Sequence, residues 1–126
     1  VNIAETREEI RAQVAEHLTM WAGKCMSIEV GGLSLELAPR VGGHIEISRF
    51  VVPRAMRGEG VGTAVMWSVA AWADRMGYTL TLTPSKGFGA TSVARLEKFY
   101  GRHGFIRNRG RYADLTISEA MRRVPR

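Results

Sequence analysis

The chain has 126 residues, 45% apolar and 24% charged, which suits one domain, residues 1–126, with room for a buried core. No apolar run is long enough to span a bilayer and the N-terminus, beginning at Val1, shows no signal-peptide pattern, so no membrane partner is expected. A lone Cys25 excludes an intrachain disulfide and an all-cysteine metal site and makes a reducing, cytoplasmic setting the default; a net charge of +6 favours anionic partners.

Residues from about 3 to 22 read as a helix: Thr6-Arg7-Glu8-Glu9 resembles a helix start, and Ile10, Val14, Leu18 and Trp21 recur at helical spacing before Gly23. Residues 26–30 and 33–38 alternate as two strands around the turn Gly31-Gly32. After the loop 39–43 comes a third strand to Val52, with His44, Glu46 and Ser48 on one face and Ile45, Ile47 and Arg49 on the other. A long helix follows over 61–76, with Val61, Val65, Ser68, Val69, Trp72 and Met76 on its apolar face and Gly77 as its cap. Both Trp67 and Trp72 read as packing residues rather than ligand stackers.

Residues 78–83 alternate as a strand, and 84–89 form a connection. Thr91 or Ser92 caps the next helix, whose apolar face carries Val93, Leu96, Phe99 and Tyr100, and Gly104 ends it. Two final strands are expected at 105–106 and 112–117, leaving a short, basic, frayed tail from Ser118. The order predicts a mixed α+β fold in which the long helix bridges two parallel strands.

Between the third strand and the long helix stands Val52-Pro53-Arg54-Ala55-Met56-Arg57-Gly58-Glu59-Gly60-Val61-Gly62-Thr63. A strand that turns through glycines into a helix start gathers free backbone N–H groups at the positive end of the helix dipole, a ready phosphate site. Gly58, Gly60 and Gly62 admit close approach of an anion, and Arg57 adds a guanidinium fork. The plain alternative is a tight structural turn. Neither the dinucleotide fingerprint nor the P-loop fits this spacing.

Arg57-Gly58-Glu59-Gly60-Val61-Gly62 does match the Arg/Gln-x-x-Gly-x-Gly pattern, and Phe99-Tyr100-Gly101-Arg102-His103-Gly104-Phe105 matches Leu/Phe-Tyr-x-x-x-Gly-Phe. With these two motifs in order, the segment from about Ile45 to Phe105 resembles the GNAT family of acyl-CoA-dependent N-acyltransferases. The resemblance implies a mixed, mostly antiparallel sheet, flanked by helices, in which the third and fourth strands splay apart to admit a thioester. It departs at Val93, where many members carry an Asn that helps hold the pantetheine arm.

The resemblance also implies roles, with acetyl-CoA as co-substrate and no metal. Arg57, Gly58, Glu59, Gly60, Val61, Gly62 and Thr63 hold the diphosphate, and Val51 and Val52 pair with the pantetheine amides. The backbone N–H of Phe50 or Val51 serves the carbonyl oxygen, and the Tyr100 hydroxyl protonates the leaving thiolate. A base is expected on the third strand, where His44 holds the family position and Glu46, on the same face, lies nearer the expected reaction centre; either is equally a plain strand residue. Cys25 has no context that favours a thiolate, so no covalent acyl-enzyme is expected.

The acceptor is an amine, from a small molecule or a protein, with no motif to choose between them. The first helix, the loops 40–43 and 84–90 and the closing strands, including Phe88 and Tyr112, are the places where it would be selected. Monomer and homodimer both stay open. Two further readings stand beside the enzyme. One is a nucleic-acid-binding module using Arg107, Arg109, Arg111, Arg122, Arg123, Arg126 and Tyr112. The other is a GNAT domain that binds CoA without turnover.

Overall fold

Gly31 and Gly32, with φ of 57° and 88°, make the tight turn that joins β1 (Met26–Val30) to β2 (Leu33–Pro39). The structure is a computed structural model that describes residues 3–85 and 92–126. β3 (Ile45–Val51) continues the antiparallel meander, with rungs from Pro39↔Ile45 to Ser34↔Val51. Opposed residues share a face, so Leu33, Leu35 and Leu37 are buried beside their β1 partners Val30 and Ile28. Each such side chain, fully buried, contributes about 1.5–3 kcal/mol.

The rungs Glu36↔Arg49 and Leu37↔Ile47 leave Ser48 as one extra residue on β3, a β-bulge. The bulge corrects the simple alternation expected along this strand. Ile45 and Ile47 are buried, but Phe50, opposite Leu35, takes the next place on their face. Arg49 shifts to the other face, where its Nε donates to Ser34 Oγ at 3.0 Å.

α1 (Ile3–Thr19) and α2 (Val61–Met76) pack together, and Ile10, Val14 and Leu18 join Val65, Met66 and Val69 in one core with the sheet. α1 stops at Thr19, short of the expected 22. The chain then turns so that Trp21 Nε1 donates to the Lys24 carbonyl at 2.7 Å. The Trp21 ring meets Trp72 and Tyr78 edge-on, each at 5.4 Å between centroids. Trp72 is a packing residue as expected, whereas Trp67 is not: it is 68% exposed. The buried stripe at 61, 65, 69 and 72 places position 67 on the opposite side of the helix. Met76, at the last position of α2, is also outside the core.

β4 (Leu80–Leu82) lies parallel to β3, and Ser92 Oγ caps α3 (Val93–Arg102) by accepting from the Arg95 N–H at 3.1 Å. Thr91 and residues 86–90, Phe88 among them, lie outside the described residues. β5 (Ile106–Arg107) and β6 (Met121–Arg123) complete a mixed, mostly antiparallel sheet of order β1-β2-β3-β4-β6-β5. The closing strand is therefore not 112–117. There, Asn108 Nδ2 donates to the carbonyls of Asp114 and Ile117, and the Asp114 N–H donates back to Asn108 Oδ1 at 2.8 Å. Side-chain bonds of this kind satisfy a looped backbone in place of a ladder.

The expected frayed tail instead supplies β6, seated between β4 and β5. Arg123 of β6 is 5% exposed and gives Nη1 and Nη2 to the two carboxylate oxygens of Asp74 at 2.8 and 3.0 Å. Among the described residues, no helix is long and apolar enough to cross a membrane.

Candidate active site

β3 and β4 are joined by only two rungs, Ile45↔Leu80 and Glu46↔Thr81. Beyond Glu46, β3 goes on pairing with β2 as far as Val51 but no longer with β4. The strands therefore part, and a cleft opens in the plane of the sheet. Ile47, Ser48, Arg49 and Phe50 line one side; Leu82, Thr83, Pro84 and Ser85 line the other; Leu96 and Tyr100 of α3 close it. The bulge at Ser48 lies on this edge and takes one residue out of register with β2, a common device for re-aiming strand groups beside a site.

Past the cleft, Val52 and Pro53 lead into a short 3-10 turn, Arg54–Met56, and then into the glycines. Gly58 and Gly60 have φ of 78° and 76°, conformations that L side chains rarely adopt. Gly60 is the N-cap of α2 and offers no side-chain acceptor, so the first amides of α2, from Val61, Gly62 and Thr63, have no side-chain cap. Gly62 also has a packing role. Its φ is not positive, and a Cβ there would stand 3.3 Å from Val52 Cγ2 and 3.7 Å from Phe99 Cζ. Gly62 lets α2 pack against β3 and α3.

Arg57 Nε donates to the Val52 carbonyl at 3.2 Å and ties the turn to the strand end. A second guanidinium reaches the turn from α1: Arg7 Nη1 donates to the Glu59 carbonyl at 2.9 Å. A Cβ on Gly60 would lie 3.2 Å from the same Arg7 nitrogen. Sequence reasoning missed Arg7, because nothing local connects positions 52 residues apart.

Tyr100 is 6% exposed and sits in an aromatic group with Phe99 and Phe105, at centroid distances of 5.2 and 5.6 Å. Phe99 in turn stacks on Phe50 at 6.4 Å, linking α3 to the splayed strand. Burial pushes the Tyr100 hydroxyl up to about 12, so it keeps its proton throughout the neutral range. Val93, where the family Asn was expected, is 39% exposed and is not among the described residues lining the cleft.

The structure does not bring His44 to Tyr100. His44 is buried at the closed end of the fork, with Nε2 3.1 Å from Glu119 Oε1. Thr81 Oγ1 and Ser118 Oγ also donate to that carboxylate, at 2.7 and 2.6 Å. Desolvation alone would push Glu119 up, but the hydrogen bonds from Ser118, Thr81 and His44 together hold it below the usual carboxylate value. Glu46 stands at the apex of the fork, on the last rung, and accepts from Arg40 Nε at 2.7 Å. Neither Glu46 nor His44 is among the described residues lining the cleft.

The parallel strand pair thus forks beside a buried tyrosine, next to a helix N-terminus without a side-chain cap. The Acetyltransferase (GNAT) family model matches residues 5–105, and the chain belongs to that family. The match takes in α1 as well as the motif-bearing half. Among solved structures, the fold is similar to that of the anti-CRISPR protein AcrVA5, at 20% identity over 79% of this chain and 97% of that one, with a TM-score of 0.60. None of the curated proteins matches.

Proposed function

We propose that this protein transfers the acetyl group of acetyl-CoA to a primary amine by direct attack within a ternary complex. The observation that carries this reading is the fork beyond Glu46↔Thr81, lined by Tyr100 and leading to the uncapped start of α2. The amides of Val61, Gly62 and Thr63, with the guanidiniums of Arg57 and Arg7, suit the diphosphate. Val51 and Val52 offer an extended backbone to the pantetheine arm, and the thioester then lies in the cleft.

The amine nitrogen bonds to the carbonyl carbon, and the carbon–sulfur bond breaks. Negative charge gathers meanwhile on the carbonyl oxygen, and we assign a backbone N–H of Phe50 or Val51 to receive it. Tyr100 delivers its proton to the leaving sulfur. The proton lost from the attacking ammonium passes to Glu46, through water at the apex of the fork. Both residues have partners, Arg40 for Glu46 and Glu119 for His44; we assign His44 the structural role because it is buried two residues further from the opening, which begins just past Glu46.

The test is thiol release from acetyl-CoA in the presence of a polyamine, an aminoglycoside or a lysine peptide. The proposal expects release that depends on one of these acceptors. Saturable acetyl-CoA binding without release for any amine would instead favour a CoA-binding domain without turnover.

A further inference from the structure

Three of the C-terminal arginines are held by partners within the fold. Arg107 is paired with Glu97, Arg123 with Asp74, and Arg122 donates to Asn108 Oδ1 and the Tyr112 carbonyl. A different basic surface emerges on α2 and α3. Arg95, Lys98 and Arg102 are all exposed on α3 at i, i+3 and i+7, a row along one face of the helix. Among the described residues, none of the three forms a salt bridge.

That row ends at a depression between α2 and the end of α3. It is lined by Trp67, Ala70, Ala71 and Asp74 of α2, by Arg102 and His103, and by Arg123 and Arg126, with the Trp67 ring exposed. The depression is rigidly built. Within its lining Arg123 bridges Asp74 and the His103 carbonyl, so the Asp74 carboxylate is neutralised, and the Arg126 N–H donates to Asp74 Oδ1 at 2.9 Å. Burial, together with the charges of Arg102 and Arg123, pushes the His103 imidazole down, which leaves it neutral at neutral pH.

We propose that this surface binds single-stranded nucleic acid, with a base stacked on the Trp67 indole beside Arg102 and Arg126, and the backbone running along Lys98 and Arg95. An exposed indole gives a flat, sequence-tolerant platform, and a row of guanidinium and ammonium groups matches successive phosphates. The net charge of +6 adds long-range attraction. The proposal does not depend on acetyl transfer, because the surface is built from residues outside the cleft.

The experiment is fluorescence anisotropy of a labelled oligothymidylate titrated with the full chain across a range of salt. Trp67→Ala is expected to weaken binding about tenfold with the salt slope unchanged, and Trp67→Phe to restore most of it. Arg102→Ser and Lys98→Ser are each expected to weaken binding and lower the salt slope by about 0.7. Lys24→Ser, which removes an exposed charge elsewhere, is expected to do neither. Trp67 is exposed, so thermal melting of its variants is expected to match wild type. No binding at low salt, equal effects of Lys24→Ser and Arg102→Ser, or no effect of Trp67→Ala would overturn the proposal. So would displacement of the strand by coenzyme A, which would assign the surface to the cofactor.

Discussion

Glu46 and Thr81 form the last parallel rung between β3 and β4, and the cleft begins where their pairing ends. The two residues also turn to different partners. Glu46 accepts from Arg40, whereas Thr81 donates to Glu119. The apex of the fork is thus held from both strands, leaving the edge beyond it available to a substrate.

Tyr100→Phe removes the hydroxyl but keeps the ring against Phe99 and Phe105. It is expected to lower kcat by about 100-fold or more with acetyl-CoA affinity unchanged. Steady-state kinetics beside a binding titration check this, and an unchanged kcat would remove the acid role.

The same residue gives a stability signature. A Tyr hydroxyl raised from 10.0 to about 12 favours folding fully below about pH 10, and that contribution is lost as pH rises through the folded value. Urea unfolding of wild type is expected to lose about 2–3 kcal/mol between pH 10 and 12, relative to Tyr100→Phe over the same range.

The two strand residues separate cleanly. Glu46→Gln is expected to cut kcat by about 100-fold with acetyl-CoA affinity unchanged. His44→Asn is expected to lower the melting temperature, through loss of its contact with Glu119, while leaving kcat near wild type. The opposite pattern would exchange their roles.

Asp74→Ala leaves the buried Arg123 guanidinium without its carboxylate and is expected to destabilise the fold by about 3 kcal/mol. Hydrogen bonding from Arg123 holds the Asp74 carboxyl below its ordinary 3.8. The stabilisation is therefore complete above that value and fades as pH falls through the lower folded one. The stability difference between wild type and variant is expected to hold above about pH 4 and to shrink as the pH falls further.

Arg7→Ser is expected to weaken acetyl-CoA binding about tenfold without changing kcat at saturation. An unchanged affinity would reduce Arg7 to a support for the Glu59 carbonyl.

The parts of this site legible in the sequence are those with local chemistry: the glycine turn, the tyrosine motif and the parallel pair around α2. The bulge at Ser48 was not legible, because one added residue changes the phase of a strand without changing its composition. β6 was hidden for a related reason. Met121, Arg122 and Arg123 read as a basic tail until Asp74, 49 residues away, supplies the partner that buries Arg123. Arg7 reaches the turn only through the packing of α1 on α2. The exposure of Trp67 was readable, since position 67 falls opposite the stripe at 61, 65, 69 and 72.

The most direct test of the account is calorimetric titration of the protein with acetyl-CoA, with Gly60→Val as the control and circular dichroism to verify folding. Saturable binding by wild type that is lost in the folded variant is the predicted result. A folded wild-type protein that takes up no acetyl-CoA would contradict it.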